Sequence, residues 1–152
     1  MCLVLVAVIH STPMKLTPSQ MDQKMDEHFA YEGSDNVAGV VATLAHDATH
    51  DIVGFPTGPT HGRDAAAAFY ESMFADLADS KVATIRRQYG EDFMVDESLW
   101  SGTAKGRPFG LEGRGRHLSF RLLHVMNFTP DGDIAKEQVW FDFPAILQQL
   151  PQ

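Results

Sequence analysis

Three places in this chain carry residue types that chemistry needs: the segment His46-Asp47-Ala48-Thr49-His50-Asp51, a histidine at 124 inside a greasy run, and an aspartate at 142 among aromatics. Two histidines four apart with an acid between them approach the metalloprotease pattern, in which one helical face brings both imidazoles to zinc. That geometry needs a helix through both. The apolar period of the preceding segment ends at Leu44, and Thr49, Ile52 and Val53 are β-branched residues leading into the turn-rich GFPTGPTHG. The sequence therefore places His46 and His50 on different elements, and no metal is expected. Asp47 is also a shorter base than glutamate, and no later histidine has the spacing of a third ligand.

In RHLSFRLLHVMNF, strand alternation puts Leu118, Phe120, Leu122, His124, Met126 and Phe128 on one face. A histidine there is either a satisfied core group or the polar point of an apolar pocket. In DIAKEQVWFDF the same rule sets Gln138, Trp140 and Asp142 opposite Val139, Phe141 and Phe143. A carboxylate so placed must find hydrogen bonds or a cation. Otherwise its pKa climbs toward neutrality, where it can both take and give a proton. Asp142 could equally cap a short helix through Pro144 and Ala145.

Such groups need a framework, and the chain spells one out. Leu16-Thr17-Pro18-Ser19-Gln20-Met21 holds Thr17 as N-cap with Gln20 three residues on, Pro18 at the first helical position, and Leu16 set against Met21. A helix starts here and stops at Gly33. Ser34 or Asp35 is expected to cap a second helix that buries Val37, Val40, Val41 and Leu44. After Gly62, RDAAAAFYESMFADLADS predicts a third helix with the apolar row Phe69, Met73, Phe74 and Leu77. From Lys81 four extended runs follow, KVATIRRQYGED, FMVDESLWSGT, RHLSFRLLHVMNF and DIAKEQVWFDF, the last two joined through Thr129-Pro130-Asp131-Gly132. They predict an antiparallel meander. The glycine-rich GTAKGRPFGLEGRG between the second and third runs reads as a loose hairpin tip rather than a lid. A short helix over 144–150 closes the chain.

With 152 residues, 44% apolar and 21% charged, the chain fits one globular domain over 16–152, preceded by an apolar extension over 1–15. The extension, MCLVLVAVIH, lacks a basic start and a cleavage site and is about half the length a bilayer needs, so it reads as a buried strand. Met14 is a second possible start. A net charge of −8 disfavours nucleic acid and anionic lipid as partners. Cys2 stands alone, which fits a reducing compartment, and a cytoplasmic protein is expected. Both faces of the last strand carry large apolar groups. One pocket can use only one of them, so a homodimer packed sheet to sheet is expected to cover the other.

The stretch from Glu97 onward resembles the second half of SnoaL-like polyketide cyclases and ester cyclases of the nuclear-transport-factor-2-like superfamily. The likeness is carried by Gly102-Thr103-Ala104-Lys105-Gly106, Gly115-Arg116 with Phe120, the turn Asp131-Gly132-Asp133-Ile134, the acid Asp142, and Leu147-Gln148-Gln149-Leu150. Asp133 stands where that family usually has lysine, and Ala104-Lys105 where a histidine is frequent. The resemblance implies an α+β cone, a curved antiparallel sheet wrapped around helices in the cystatin-like manner, with a hydrophobic pocket. It implies cofactor-free chemistry on a small apolar or polyketide-like substrate, with Asp142 as proton shuttle and His124 assisting. The substrate would then meet Trp100, Phe120, Leu122, Met126, Trp140 and Phe69, with Gln138 and His50 as polar contacts. Intramolecular aldol cyclisation is the expected reaction. Enone isomerisation, epoxide opening, and a non-catalytic binding or dimerisation module are the alternatives. Epoxide opening would want an Arg-x-Asp pair, for which Arg86, Arg87 and Asp96 are the nearest substitutes.

Overall fold

Thr17 starts the first helix as its sequence dictates: its hydroxyl accepts from the Gln20 amide while the Gln20 side chain accepts from the Thr17 amide, and Pro18 occupies the first turn. The computed structural model describes residues 15–150, so the strand expected at the N-terminus lies outside the described residues. Helix α1 (Pro18–Gly33) buries Met21, Met25 and His28. Asn36, not Ser34 or Asp35, caps α2 (Val37–Ala42) through the Gly39 amide, because Asp35 is spent turning the chain at a positive φ of 53°.

Leu44 does not extend α2. It opens strand β1 (Leu44–Ile52), which carries both His46 and His50, contrary to their expected separation. An irregularity between Leu44 and Thr49 breaks the alternation there, leaving His46 exposed and His50 buried. A two-residue strand β2 (Thr60–His61) pairs with β1, and α3 (Arg63–Asp76) follows.

The four expected runs form a meander, but the first begins four residues early, at Leu77, a residue expected in α3: β3 (Leu77–Tyr89), β4 (Phe93–Ala104), β5 (Arg116–Phe128) and β6 (Ile134–Phe141) are antiparallel neighbours. Gly132, with φ of 93°, makes the β5–β6 turn that the Pro-Asp-Gly sequence calls for. β1 joins the far side of β6 in parallel, giving the order β2-β1-β6-β5-β4-β3 in one curved, unclosed sheet. With the four α-helices of the described residues this is an α+β fold. Helix α4 (Phe143–Gln149) ends the described chain. No helix among the described residues is long and apolar enough to cross a membrane.

The buried face of the sheet holds two apolar clusters. One gathers Trp100, Leu118, Phe120, Leu122, Ile146 and Leu150, and the other sets Met21 and Met25 of α1 against Met94, Met126 and Phe128. Along β5, His124 stands between them.

Candidate active site

The chamber begins with pairing register. Residues directly opposite on antiparallel strands share a face, and β5 sets His124 opposite Val139, Met126 opposite Glu137 and Leu122 opposite Phe141. The inward face of β6 is therefore Glu137, Val139 and Phe141. This corrects the expected placement. Asn127 pairs with Lys136 but Phe128 with Ile134, so Ala135 is an extra residue, and a strict count by two from Ile134 selects the wrong face. Asp142 lies exposed on the outside, where its carboxylate accepts from the Ala145 amide at 3.2 Å and caps α4. Trp140 is 38% exposed on the same outer surface, and Gln138 donates to Asp51 at 3.1 Å. None of the three lines the chamber. Met126 is fully buried but packs in the cluster under α1 rather than facing the cavity.

The other expected residues do come together. His124, His50, Trp100, Phe120, Leu122 and Phe69 all line one cavity. Three groups that strand alternation did not point to also line it, Glu137 from β6, Tyr70 from α3 and Glu32 from α1, and His28 of α1 contacts both carboxylates. The available signals were His28 and Glu32 at a spacing of four on one helical face, and Tyr70 beside Phe69.

Glu137 is the hub. Its Oε2 accepts from Tyr70 Oη at 2.9 Å and lies 3.6 Å from His28 Nε2 and 3.9 Å from His50 Nε2; its Oε1 lies 4.0 Å from His124 Nε2. Thr43 fixes the His28 ring. The Thr43 hydroxyl donates to the Val40 carbonyl at 2.6 Å and so accepts from His28 Nδ1 at 2.7 Å. Nε2 then faces Glu32 at 3.2 Å, Tyr70 at 3.2 Å and Glu137.

Burial by itself would lower the His28 pKa, but Glu137 and Glu32 more than reverse this and push it up to about 10. His28 is an imidazolium at neutral pH. Burial works to raise the Glu137 pKa, and His28, His50 and His124 hold it well below the usual carboxylate range. The Tyr70 phenol is pushed up by burial and by Glu137. His124 goes the other way: burial lowers its pKa and outweighs the pull of Glu137, Glu32 and Asp96, so it rests neutral. His50 Nε2 and His124 Nδ1 are buried without a hydrogen-bond partner. Orphaned polar atoms of this kind are rare unless a ligand or water completes them.

His28, Glu32 and Glu137 bring one ligand atom each within 4.8 Å of one another, a composition that could hold a cation. Here His28 Nε2 is already committed as a proton donor to the two carboxylates, and the trio closes as an ion cluster.

The inner chamber has a volume of about 40 Å³, room for two or three waters at most. An outer cavity of about 230 Å³ adjoins it, sharing Ile52, Phe69, Met73, Leu77, Phe109 and Phe141 as walls. The glycine-rich loop is not a free tip. Its base is tied to Asp76 of α3 by the amides of Lys105, Gly106 and Arg107. Its Phe109 ring lies 5.1 Å from Phe141 and 5.8 Å from Phe55, at the boundary of the two spaces. The result is an apolar funnel ending in buried imidazoles and a carboxylate.

The SnoaL-like polyketide cyclase family profile matches residues 20–150, and the chain belongs to that family. No curated protein sequence matches the chain significantly. TsrD from Streptomyces laurentii superposes with a TM-score of 0.77 at 18% identity, covering 90% of this chain and 98% of that one. A protein from Jannaschia sp. CCS1 described as a SnoaL-like polyketide cyclase gives 0.78 at 14% identity, covering 89% and 95%. A protein from M. tuberculosis described as an LEH-like epoxide hydrolase gives 0.69 at 17% identity, covering 87% and 90%. At these identities the likeness is one of fold.

Proposed function

We propose that this protein is an acid–base enzyme of the cyclase type, closing a ring in a small apolar, polyketide-like substrate by intramolecular aldol addition. The observation that carries this reading is the pair of unpartnered buried imidazole nitrogens, on His50 and His124, beside a carboxylate held ionised by His28. In the proposed reaction His124 Nε2 removes a proton α to a carbonyl. The enolate carbon attacks a second carbonyl of the same molecule, one carbon–carbon bond forms, and the imidazolium returns its proton to the new alkoxide. Glu137 stays ionised and stabilises the imidazolium, and His50 Nε2 donates to the substrate oxygen. The shuttle role expected of Asp142 passes to this buried set.

The narrow inner chamber holds the reacting atoms while the aromatic funnel holds the body. Restricting a flexible chain in this way can lower a barrier by about 7–11 kcal/mol, and acid–base help adds about 10²–10⁴-fold. The test is exchange of α-protons of aryl ketones for deuterium in D₂O, followed by NMR. Wild type is expected to accelerate exchange and His124→Phe to abolish it. No acceleration across one-, two- and three-ring ketones would remove the acid–base reading and leave a binding module.

Epoxide opening is favoured by the M. tuberculosis neighbour. Its arginine–aspartate pair does form, Arg87 Nε donating to Asp96 at 2.9 Å, but Arg87 is also bound to Asp22 and Asp26 and does not line the chamber. A second copy of the chain is proposed to cover the outer sheet face, where Ile85, Leu99 and Trp140 are exposed. Sedimentation of Trp140→Ser against wild type tests that.

A further inference from the structure

We propose that Asp96 is the positioning carboxylate of His124, fixing which ring nitrogen faces the substrate and closing a hydrogen bond to Nδ1 when the ring gains its second proton. This rests on the shuttle role given to His124 above.

The β4–β5 register sets Asp96 directly opposite His124, on the same face. Asp96 is completely buried, and an ionised carboxylate in that position costs several kcal/mol unless it is well bonded. Its Oδ2 receives Arg87 Nε at 2.9 Å and the Thr84 hydroxyl at 3.3 Å, and its Oδ1 receives the Ser98 hydroxyl. Arg87 is in turn held by Asp22 at 2.9 Å and Asp26 at 2.6 Å on α1. The carboxylate is therefore fixed from outside the chamber by three elements.

A carboxylate oxygen accepts about two hydrogen bonds, and Oδ1 has one. Its unused side lies 3.9 Å from His124 Nδ1, the ring nitrogen that has no partner. That distance is too long for a hydrogen bond, by somewhat under about 1 Å. On the other side of the ring, Nε2 is 4.0 Å from Glu137 Oε1. The imidazole is thus suspended between two acids and bonded to neither, with the Phe29 ring packed 5.1 Å away. A neutral imidazole carries one proton, and Asp96, an acceptor only, selects Nδ1 for it. Nε2 is then left as the base that faces the cavity. Besides Asp96 on β4, the charged groups facing this ring are Glu137 on β6 and Glu32 and His28 on α1.

The inference is tested without substrate, by ¹⁵N–¹H long-range NMR of the histidine rings in the full chain. Wild type is expected to show His124 mainly as the Nδ1–H tautomer. In Asp96→Asn the population should shift toward Nε2–H and the His124 titration should move lower. Ser98→Ala, which frees Oδ1, should move the titration higher, and it supplies the answer if Asp96→Asn fails to fold. A His124 tautomer and titration unchanged in whichever of these variants folds would overturn the assignment. Such a result, with α-proton exchange still abolished in His124→Phe, would leave the proposed reaction standing. Loss of exchange dependence on His124 with a shifted tautomer would do the reverse.

Discussion

Glu137 and Asp142 stand within five residues of each other, and each has aromatic groups and a cation in its vicinity. Glu137 is 1% exposed and lies against an imidazolium, a phenol and two further histidines. Asp142 is exposed at an open surface hollow with Glu97, Arg121 and Trp140, and its carboxylate does what helix N-caps do. What separates them is water. Where solvent is excluded, a neighbouring charge shifts a proton affinity strongly; at the surface the same neighbour is screened. Residue types therefore describe both acids equally well, and only burial distinguishes the one that lies among the imidazoles.

The sharpest way to break this comparison is to neutralise each acid in turn. Glu137→Gln is expected to reduce turnover by about 10²-fold or more, while Asp142→Asn leaves it within about twofold. The reverse order would return the chemistry to the surface hollow. Next in size is stability. His28→Gln leaves Glu137 and Glu32 without their cation and should destabilise the fold by about 3–5 kcal/mol in denaturant titration.

The same ion pair predicts a pH dependence. His28 titrates higher folded than unfolded, so its contribution is complete below pH about 6.5 and is lost as pH rises toward about 10. Wild type should lose stability across that window, and His28→Gln should flatten the loss. Smallest is the surface. Asp142→Ala should cost about 1 kcal/mol through the lost cap, and Arg121→Ala, which breaks an exposed pair with Glu97, about 0–1 kcal/mol.

The helices and the meander were legible because their signals are local: the Thr17–Gln20 box, the alanine-rich run before Phe69, and the Pro-Asp-Gly turn each determine structure within a few residues. His50, Phe69, Trp100, Phe120, Leu122 and His124 were legible as cavity residues. Glu137 was not, because the resemblance carried the acid's role to Asp142 and the inward face of β6 is set by one unpaired residue, Ala135, that alternation cannot register. His46 and His50 were expected on different elements and instead share β1, because the strand holding Thr49 and Ile52 reaches back to Leu44; within that strand an irregularity leaves one exposed and the other buried. His28 and Glu32 were hidden because α1 looks amphipathic in its methionines, and the polar residues on its buried side acquire meaning only from Glu137, more than a hundred positions away.

Phe109 holds a left-handed backbone, φ 57° and ψ 22°, that residues with side chains adopt at an expense of roughly 1–3 kcal/mol. Its ring forms part of the wall of both cavities, so backbone strain and cavity shape meet at one residue. The position that a smaller residue would relax is thus the one whose ring the two cavities share, with every acid and base left in place.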